Sequence, residues 1–292
     1  MKRRKLSARR RVRTGSALFL CVCALAGAAL WRMLAARVTM PPEMGALLCF
    51  GLPAMIGLFF IDGIQLRLVP SRALSPAQAL WLALTGVLAV CPMTLLADVL
   101  GALAGRFTLP LAAATAGAVP TAVLKLLVND ALFVPLFEEG FFRGYLQGAL
   151  ACYGRTRAAV FVALAFALAH GLSMNLPGLF LMGLLLCALA LRTGSLLSSL
   201  LVHGLYNATL VLLSCSGLGA LFDGLTPLSC LLRLLGCGAF AYAMRRAFAA
   251  KGALPSQESG LHLEHRDMLW LGAALMSVVL ALLLSRLMEV LL

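Results

Sequence analysis

Residues 133–150 read FVPLFEEGFFRGYLQGAL, which places two adjacent carboxylates and an arginine inside an otherwise apolar segment. A charged side chain at the centre of a bilayer costs about 2.5–3.5 kcal/mol on insertion scales, so such residues are rare there and usually functional. At helical spacing Glu139 and Arg143 are four residues apart and can form an ion pair. Glu138 points about 100° away from Glu139 on a helix, so the same arginine cannot easily serve both. The stretch therefore predicts one paired carboxylate and one that is left for another role.

Glycines repeat at every fourth position beside these carboxylates, at Gly140, Gly144 and Gly148. A ridge of small residues lets a neighbouring helix approach closely within a membrane. We therefore expect close helix packing along this ridge.

The composition indicates an integral membrane protein rather than a soluble domain. Of the 292 residues, 62% are hydrophobic and 12% are charged, and the mean hydropathy is +0.99. We predict an all-α fold, a polytopic bundle of about eight transmembrane helices around a central polar cavity. Residues 1–15 are expected to form a basic cytoplasmic tail, and residues 16–292 a single transmembrane domain.

Apolar segments follow one another along the chain and determine the expected number of helices. They occupy residues 16–34, 44–61, 78–100, 110–118, 120–150, 158–172, 177–191, 195–213, 227–244 and 268–288. The 110–118 segment is too short to span a bilayer and is interpreted as a bend or a re-entrant lead-in to the next segment.

Most of the net charge of +13 lies at the N-terminus, where eight basic residues precede the first apolar segment. Such a flank is typical of a cytoplasmic N-terminus that contacts anionic lipid. With this orientation, basic connections such as those at Arg155, Arg157, Arg245 and Arg246 also lie on the cytoplasmic side, as the positive-inside rule requires. Nucleic-acid binding is not expected, because no aromatic residues interleave with the N-terminal charges.

Two further polar clusters interrupt apolar segments. His170 closes the run FALAHG, and His203 and Asn207 lie four residues apart in LVHGLYNAT, on one helix face. Taken singly, each of these polar residues is explained by packing or by hydrogen bonding between helices. With a rise of ~1.5 Å per residue, however, all three lie near the depth of Glu138, in the middle of a ~30 Å hydrocarbon layer. This agreement in depth predicts that the helices line one polar cavity.

The polar residues can be compared with the known ways of cutting a peptide bond inside a membrane. The HExxH pattern of a zinc protease is absent from the sequence. Asp98 and Asp130 lack the context of a diaspartyl site, and the run GLSM over residues 171–174 only half matches a serine-nucleophile turn. What remains is a Glu and a His that could together deprotonate a water molecule, with a second His and an Asn to bind an oxyanion.

Three motifs carry a resemblance to a known family. EEGFFR over residues 138–143 resembles an EExxxR motif, Phe166 to His170 an FxxxH motif, and His203 to Asn207 an HxxxN motif. In this order and separation they resemble the CPBP family, the CAAX proteases and bacteriocin-processing or abortive-infection proteins. The type II CAAX prenyl endopeptidases are members of that family.

The resemblance covers about residues 120–212 and implies an eight-helix, metal-independent intramembrane glutamate endopeptidase. It implies a catalytic set of four residues: Glu138, His170, His203 and Asn207. Glu138 would be the base that activates water, assisted by His170. His203 and Asn207 would stabilise the oxyanion. Supporting roles are implied for Glu139, Arg143 and Phe166. No cofactor and no metal ion are expected, although Glu138, His170 and His203 could in principle bind zinc.

The substrate implied by the resemblance is a membrane-associated peptide or protein within the lipid bilayer. The Ala-, Leu-, Arg- and Gly-rich composition is typical of a bacterial protein, which places the chain in a cytoplasmic membrane. Two alternatives stay open. The first is a non-catalytic immunity or scaffold protein that binds a peptide or partner in the same cavity. The second is a transporter that uses the intramembrane Glu and His residues, although no internal repeat of the usual kind is evident.

Overall fold

The computed structural model of the protein describes residues 2–35, 37, 41–61, 72–103, 120–171 and 175–249. Within these ranges the chain is helical and contains no strand. The predicted bend over residues 110–118 and the predicted helix over residues 268–288 lie outside the described residues.

Besides a short 3₁₀ helix over Leu218–Phe222, eight helices follow one another through the described part of the chain. They are α1 (Lys2–Ala35), α2 (residues 42–61), α3 (Pro76–Leu103), α4 (Pro120–Tyr153), α5 (Arg155–Ala169), α6 (Leu176–Thr193), α7 (Leu196–Ser216) and α8 (Pro227–Phe248). Six of these, all except α2 and α5, are long and apolar enough to cross a membrane. The prediction of an all-α polytopic membrane bundle is therefore confirmed.

Local sequence signals explain where several helices begin and end. At the start of α3, Ser75 and Gln78 form a reciprocal capping box, each side chain bonding the other's main-chain N–H. At the start of α8, the Thr226 side chain accepts a hydrogen bond from the main-chain N–H of Ser229. α6 ends at Gly194, whose left-handed conformation (φ 65°) is accessible to glycine without steric cost.

α4 is the helix that carries the adjacent carboxylates, and it is not uniformly α-helical. Its turns widen to π-helical hydrogen bonding over Leu127–Phe133 and again over Gly140–Leu146. The α-helical turn between them, Val134–Glu139, ends on the two carboxylates. Residues 141–147 are all buried, so this part of α4 runs through the interior of the bundle. Widened turns of this kind are frequent at functional sites.

Close approaches between helices occur at glycines that differ from the predicted ridge. A methyl group added to Gly204 of α7 would lie 2.6 Å from the Ala131 carbonyl oxygen of α4, and one added to Gly183 of α6 would lie 2.9 Å from the Cα atom of Ala163 in α5. At Gly140 an added methyl group would meet no atom of the described residues within 4 Å. Close packing is therefore not found at Gly140, whereas Gly204 of α7, next to His203, lies against the main chain of α4.

Candidate active site

Glu138 lies where α4, α5 and α7 meet. Its side chain is 6% exposed, and its two carboxylate oxygens face two imidazole rings. His170 Nε2 lies 3.9 Å from Oε1, and His203 Nε2 lies 3.8 Å from Oε2. The structure thus brings together three of the residues that the sequence predicted to share a cavity. Both distances exceed those of direct hydrogen bonds, and polar groups so separated are commonly bridged by water.

The other nitrogen of each imidazole determines what the rings present to Glu138. His170 Nδ1 lies 2.8 Å from the carbonyl oxygen of Phe166, and because a carbonyl can only accept, Nδ1 carries the proton and donates it. His203 Nδ1 lies 2.9 Å from Glu139 Oε1 and donates to it in the same way. In neutral rings both Nε2 atoms are then acceptors, so each turns a lone pair towards Glu138.

Glu139 is the paired carboxylate. Its Oε1 atom accepts from Arg143 Nη1 at 2.8 Å as well as from His203 Nδ1. The pairing predicted from the four-residue spacing is therefore present. Glu139 thus holds the His203 ring in one orientation, from the side opposite Glu138.

Arg143 joins three helices from a fully buried position. Its Nη2 atom donates to the Gly183 carbonyl oxygen of α6 at 3.2 Å, and one turn later Gln147 donates to the Cys187 carbonyl oxygen at 3.2 Å. The Arg143 guanidinium also lies over the ring of Phe166 in α5, 4.4 Å from its centroid, a cation–π geometry. These contacts hold α4 in register with α5 and α6.

Phe166 packs against both imidazoles. Its ring centroid lies 4.7 Å from that of His170 and 5.6 Å from that of His203, the latter edge-on at 79°. The same ring therefore contacts both histidines and Arg143, while its main-chain carbonyl determines the tautomer of His170. This arrangement gives a physical basis for the supporting role expected of Phe166.

Asn207 lies one turn beyond His203 on α7, and its side chain makes a hydrogen bond that joins α7 to α4. Its Nδ2 atom donates to the carbonyl oxygen of Asp130 at 2.8 Å, about two turns before Glu138 on α4. The Asn207 side chain is part-buried, and its amide has a second N–H with which to serve another acceptor. Among the described residues, no hydrogen bond joins Asn207 to Glu138 or to either imidazole.

Glu138 and Glu139 each keep one buried oxygen, Oε2, that has no hydrogen-bond partner among the described residues. A buried polar atom without a partner costs about 1–3 kcal/mol, which favours binding of a water molecule or a substrate group there. The His170 side chain is 32% exposed, against 4% for His203, so the polar cluster is accessible from the side of His170.

Residues 120–209 match the family model described as type II CAAX prenyl endopeptidase Rce1-like. The resemblance that the three motifs indicated is therefore confirmed. The matched range holds all four predicted catalytic residues and supports a CAAX-type protease, a peptide hydrolase of the membrane. No curated protein and no solved structure matches the chain.

Across the part of the chain that the structure describes, no group of three or more His, Cys, Asp or Glu side chains is arranged to hold a metal ion. That the reaction proceeds without a metal stays a prediction.

Two charged residues of the bundle were not anticipated from the sequence. Arg233 of α8 forms an ion pair with Asp98 of α3, and Arg32 of α1 reaches the end of α5 beside His170. Both arginines are visible in the sequence as single cations in or at the end of apolar segments, which is itself a signal of function or pairing. Their partners lie about 135 residues away in sequence and cannot be found from local spacing.

Proposed function

We propose that the protein is an intramembrane endopeptidase in which Glu138 activates a water molecule to hydrolyse a peptide bond of a membrane-associated substrate. One observation carries this proposal. The Glu138 carboxylate is buried and faces two imidazole nitrogens at 3.8 and 3.9 Å, while the adjacent Glu139 is occupied by Arg143 and His203. A base must be free to accept a proton, and of these two adjacent carboxylates Glu138 is the one with no arginine partner and no direct hydrogen bond to a histidine.

The proposed reaction begins with a water molecule between Glu138 and His170. Glu138 accepts one proton of the water as its oxygen attacks the carbonyl carbon of the peptide bond, and a C–O bond forms. His170 Nε2 accepts a hydrogen bond from the second O–H and orients the attack, since its Nδ1 proton is held by Phe166. When the tetrahedral intermediate collapses, the C–N bond breaks and Glu138 returns its proton to the leaving amine. The products are a carboxylic acid and an amine.

His203 and Asn207 are the proposed donors to the oxyanion of the intermediate. His203 Nε2 needs a proton for this role, and the Glu139 carboxylate at Nδ1 stabilises the imidazolium that results. Asn207 lies on the same helix one turn further on and would donate its second amide N–H. Substrate binding would have to bring the scissile carbonyl within reach of both.

The experiment is a cleavage assay on the full chain in liposomes, with a mixed library of membrane-associated peptides and mass-spectrometric detection. Wild type is compared with Glu138→Gln. Glu43→Gln on α2, whose Oε2 atom is likewise buried without a hydrogen-bond partner among the described residues, serves as a matched carboxylate-to-amide control. Fragments from wild type and the control, but not from Glu138→Gln, are expected. Thermal unfolding of each variant checks that the protein is folded.

Fragments produced by Glu138→Gln at the wild-type rate would contradict the proposal. If neither protein cuts any peptide while both bind one, the chain acts instead as a non-catalytic immunity or scaffold protein. Crosslinking of the bound peptide would then identify the partner.

We also propose that residues 1–15 lie in the cytoplasm of a bacterial cell, with the bundle in its cytoplasmic membrane. The cluster of basic residues ahead of the first apolar segment supports this orientation. A reporter that fluoresces only in the cytoplasm, fused to the N-terminus, is expected to be bright. Alkaline phosphatase activity from the same position would contradict it.

A further inference from the structure

The last turn of α5 has a complete set of hydrogen bonds, and these bonds converge on His170. The final four carbonyl groups of an α-helix have no partner within the helix. In α5, Phe166 accepts from His170 Nδ1, Ala167 from the His170 main-chain N–H at 3.1 Å, and Leu168 from the Gly171 main-chain N–H at 3.0 Å. Three of the four carbonyls are thus bonded by His170 or by the residue that follows it.

Arg32 of α1 bonds the fourth carbonyl. Its Nη1 atom donates to the oxygen of Ala169, the residue before His170. Its Nε and Nη2 atoms lie 3.5 and 3.8 Å from where a Cβ atom would stand on Gly171, the residue after it. The guanidinium therefore covers the main chain on both sides of His170, although Arg32 belongs to none of the three sequence motifs.

The charge of Arg32 is balanced by the end of α5 rather than by an acid. In the described residues no carboxylate forms an ion pair with it, although it lies part-buried near the end of an apolar span. The C-terminus of a helix carries about half a negative charge, which interacts favourably with a cation. The guanidinium is thus suited to close this helix end.

We propose that Arg32 is a positioning residue that orients His170 by closing the C-terminus of α5. This inference rests on the proposed function. His170 occupies the helix end (φ −85°, ψ −2°), and Gly171 leaves the helix with φ 89°, a conformation that favours glycine. When the Ala169 carbonyl loses its donor, the last turn of α5 can fray. The Phe166 carbonyl oxygen can then lose its hydrogen bond to His170 Nδ1. His170 Nε2 then no longer points steadily at Glu138.

The first arm of the test measures kinetics in Arg32→Met and Arg32→Lys, once a substrate has been found. Misplacing a catalytic group lowers kcat by about tenfold or more, so that loss is expected in Arg32→Met. KM should change by no more than about twofold, because ground-state binding is not altered. Arg32→Lys keeps a charged donor and should recover most of the rate. Arg192→Met, which removes an exposed guanidinium over the Phe248 ring, should behave as wild type.

The second arm does not require activity. Diethyl pyrocarbonate acylates the free nitrogen of a neutral imidazole, and mass spectrometry reports its rate at each histidine. In Arg32→Met, local opening of the α5 end should raise the rate at His170 by about threefold or more. Arg32→Lys should restore the wild-type rate, and the buried His203 should react slowly in every variant.

The outcomes separate this inference from the proposed function. If wild type cuts no peptide, the proposed function fails, and the His170 reaction rates alone decide the role of Arg32. An unchanged rate at His170 in Arg32→Met would overturn the inference. A raised KM with a wild-type kcat would also overturn it, and would assign Arg32 to binding an anionic group of the substrate instead.

Discussion

Within the described part of the bundle, two groups of buried charged residues differ in their bonding. In the first, Arg233 of α8 bonds Asp98 Oδ2 of α3 at 2.7 Å, the Ser229 carbonyl oxygen at 3.4 Å and the Gly224 carbonyl oxygen, so each guanidinium nitrogen has a partner. In the second, Glu138 faces two imidazole nitrogens without a direct hydrogen bond, and its Oε2 atom has no partner in the described part of the chain.

The difference separates an ion pair that joins helices from a carboxylate that can react. A buried charge with all its bonds made is held in place, and removing one partner leaves the other uncompensated. A carboxylate surrounded by acceptor nitrogens at nearly 4 Å remains able to bind water and to take a proton. The following variants probe the comparison, from the largest expected effect to the smallest.

Glu138→Gln should abolish function while leaving the fold intact. Loss of a general base lowers the rate by about 10²- to 10⁴-fold. The free energy of unfolding should stay the same or rise, because a neutral amide costs less to bury than an incompletely bonded carboxylate. Cleavage rate and thermal unfolding are measured on the same preparation. A strongly destabilised Glu138→Gln would show that Glu138 is structural, like Asp98.

Asp98→Asn should have the opposite effect, a loss of stability with cleavage retained. Leaving Arg233 without its carboxylate is expected to lower the free energy of unfolding by about 3–5 kcal/mol, with little change in cleavage per folded molecule. The double variant Asp98→Leu/Arg233→Met removes both charges and should recover most of that stability. Denaturant unfolding in detergent measures both. A loss of cleavage in the stable double variant would place this ion pair in the reaction.

Glu139→Gln should lower both the free energy of unfolding and the cleavage rate, each by less than the larger of the two preceding effects. The amide still accepts hydrogen bonds, but Arg143 loses its counter-charge and His203 loses the carboxylate that orients it. We expect a loss of about 1–3 kcal/mol in the free energy of unfolding. Cleavage should fall by roughly 10- to 100-fold, as is usual when a partner that orients a histidine is removed. Wild-type cleavage in a folded Glu139→Gln would remove His203 from the mechanism.

Asn207→Ala should have the smallest effect on stability and tests the oxyanion role. It removes the bond to the Asp130 carbonyl oxygen, which is worth about 1 kcal/mol. Thr209→Ala on the same helix is the control, because the Thr209 hydroxyl bonds the Leu205 carbonyl oxygen of its own helix and, in the described part of the chain, no other helix. If Asn207 binds the oxyanion, kcat falls in Asn207→Ala by more than in the control. Equal kcat in the two variants would leave Asn207 as a helix-joining residue.

Features that depend on local periodicity were predictable from the sequence. The hydrophobic content predicts an all-α membrane bundle, because only helices and closed barrels satisfy their main-chain polar groups in lipid. The pairing of Glu139 with Arg143 follows from a four-residue spacing on one helix. The convergence of Glu138, His170 and His203 followed from their similar depths, since helices of known rise cross a layer of known thickness.

Features that depend on the rotation and packing of helices were not predictable. The glycine ridge suggested close packing along α4, yet Gly140 meets no neighbour among the described residues, whereas Gly204 of α7 lies against the α4 main chain. The helix face that meets a neighbour is determined by all the helices together. The widened turns of α4 likewise have no local signal in the sequence.

The sequence by itself determined the class of the protein, the identity of its polar residues and their approximate depth in the membrane. Only the tertiary structure decided which of those residues bond to one another. The His203 ring could have bonded either carboxylate. Its hydrogen bond to Glu139, 64 residues away, leaves Glu138 without a direct bond to this ring. Arg32 reaches Ala169 across 137 residues, and nothing in its own segment indicates this partner. Spacing along one helix is encoded locally, whereas contacts between helices depend on how their surfaces fit.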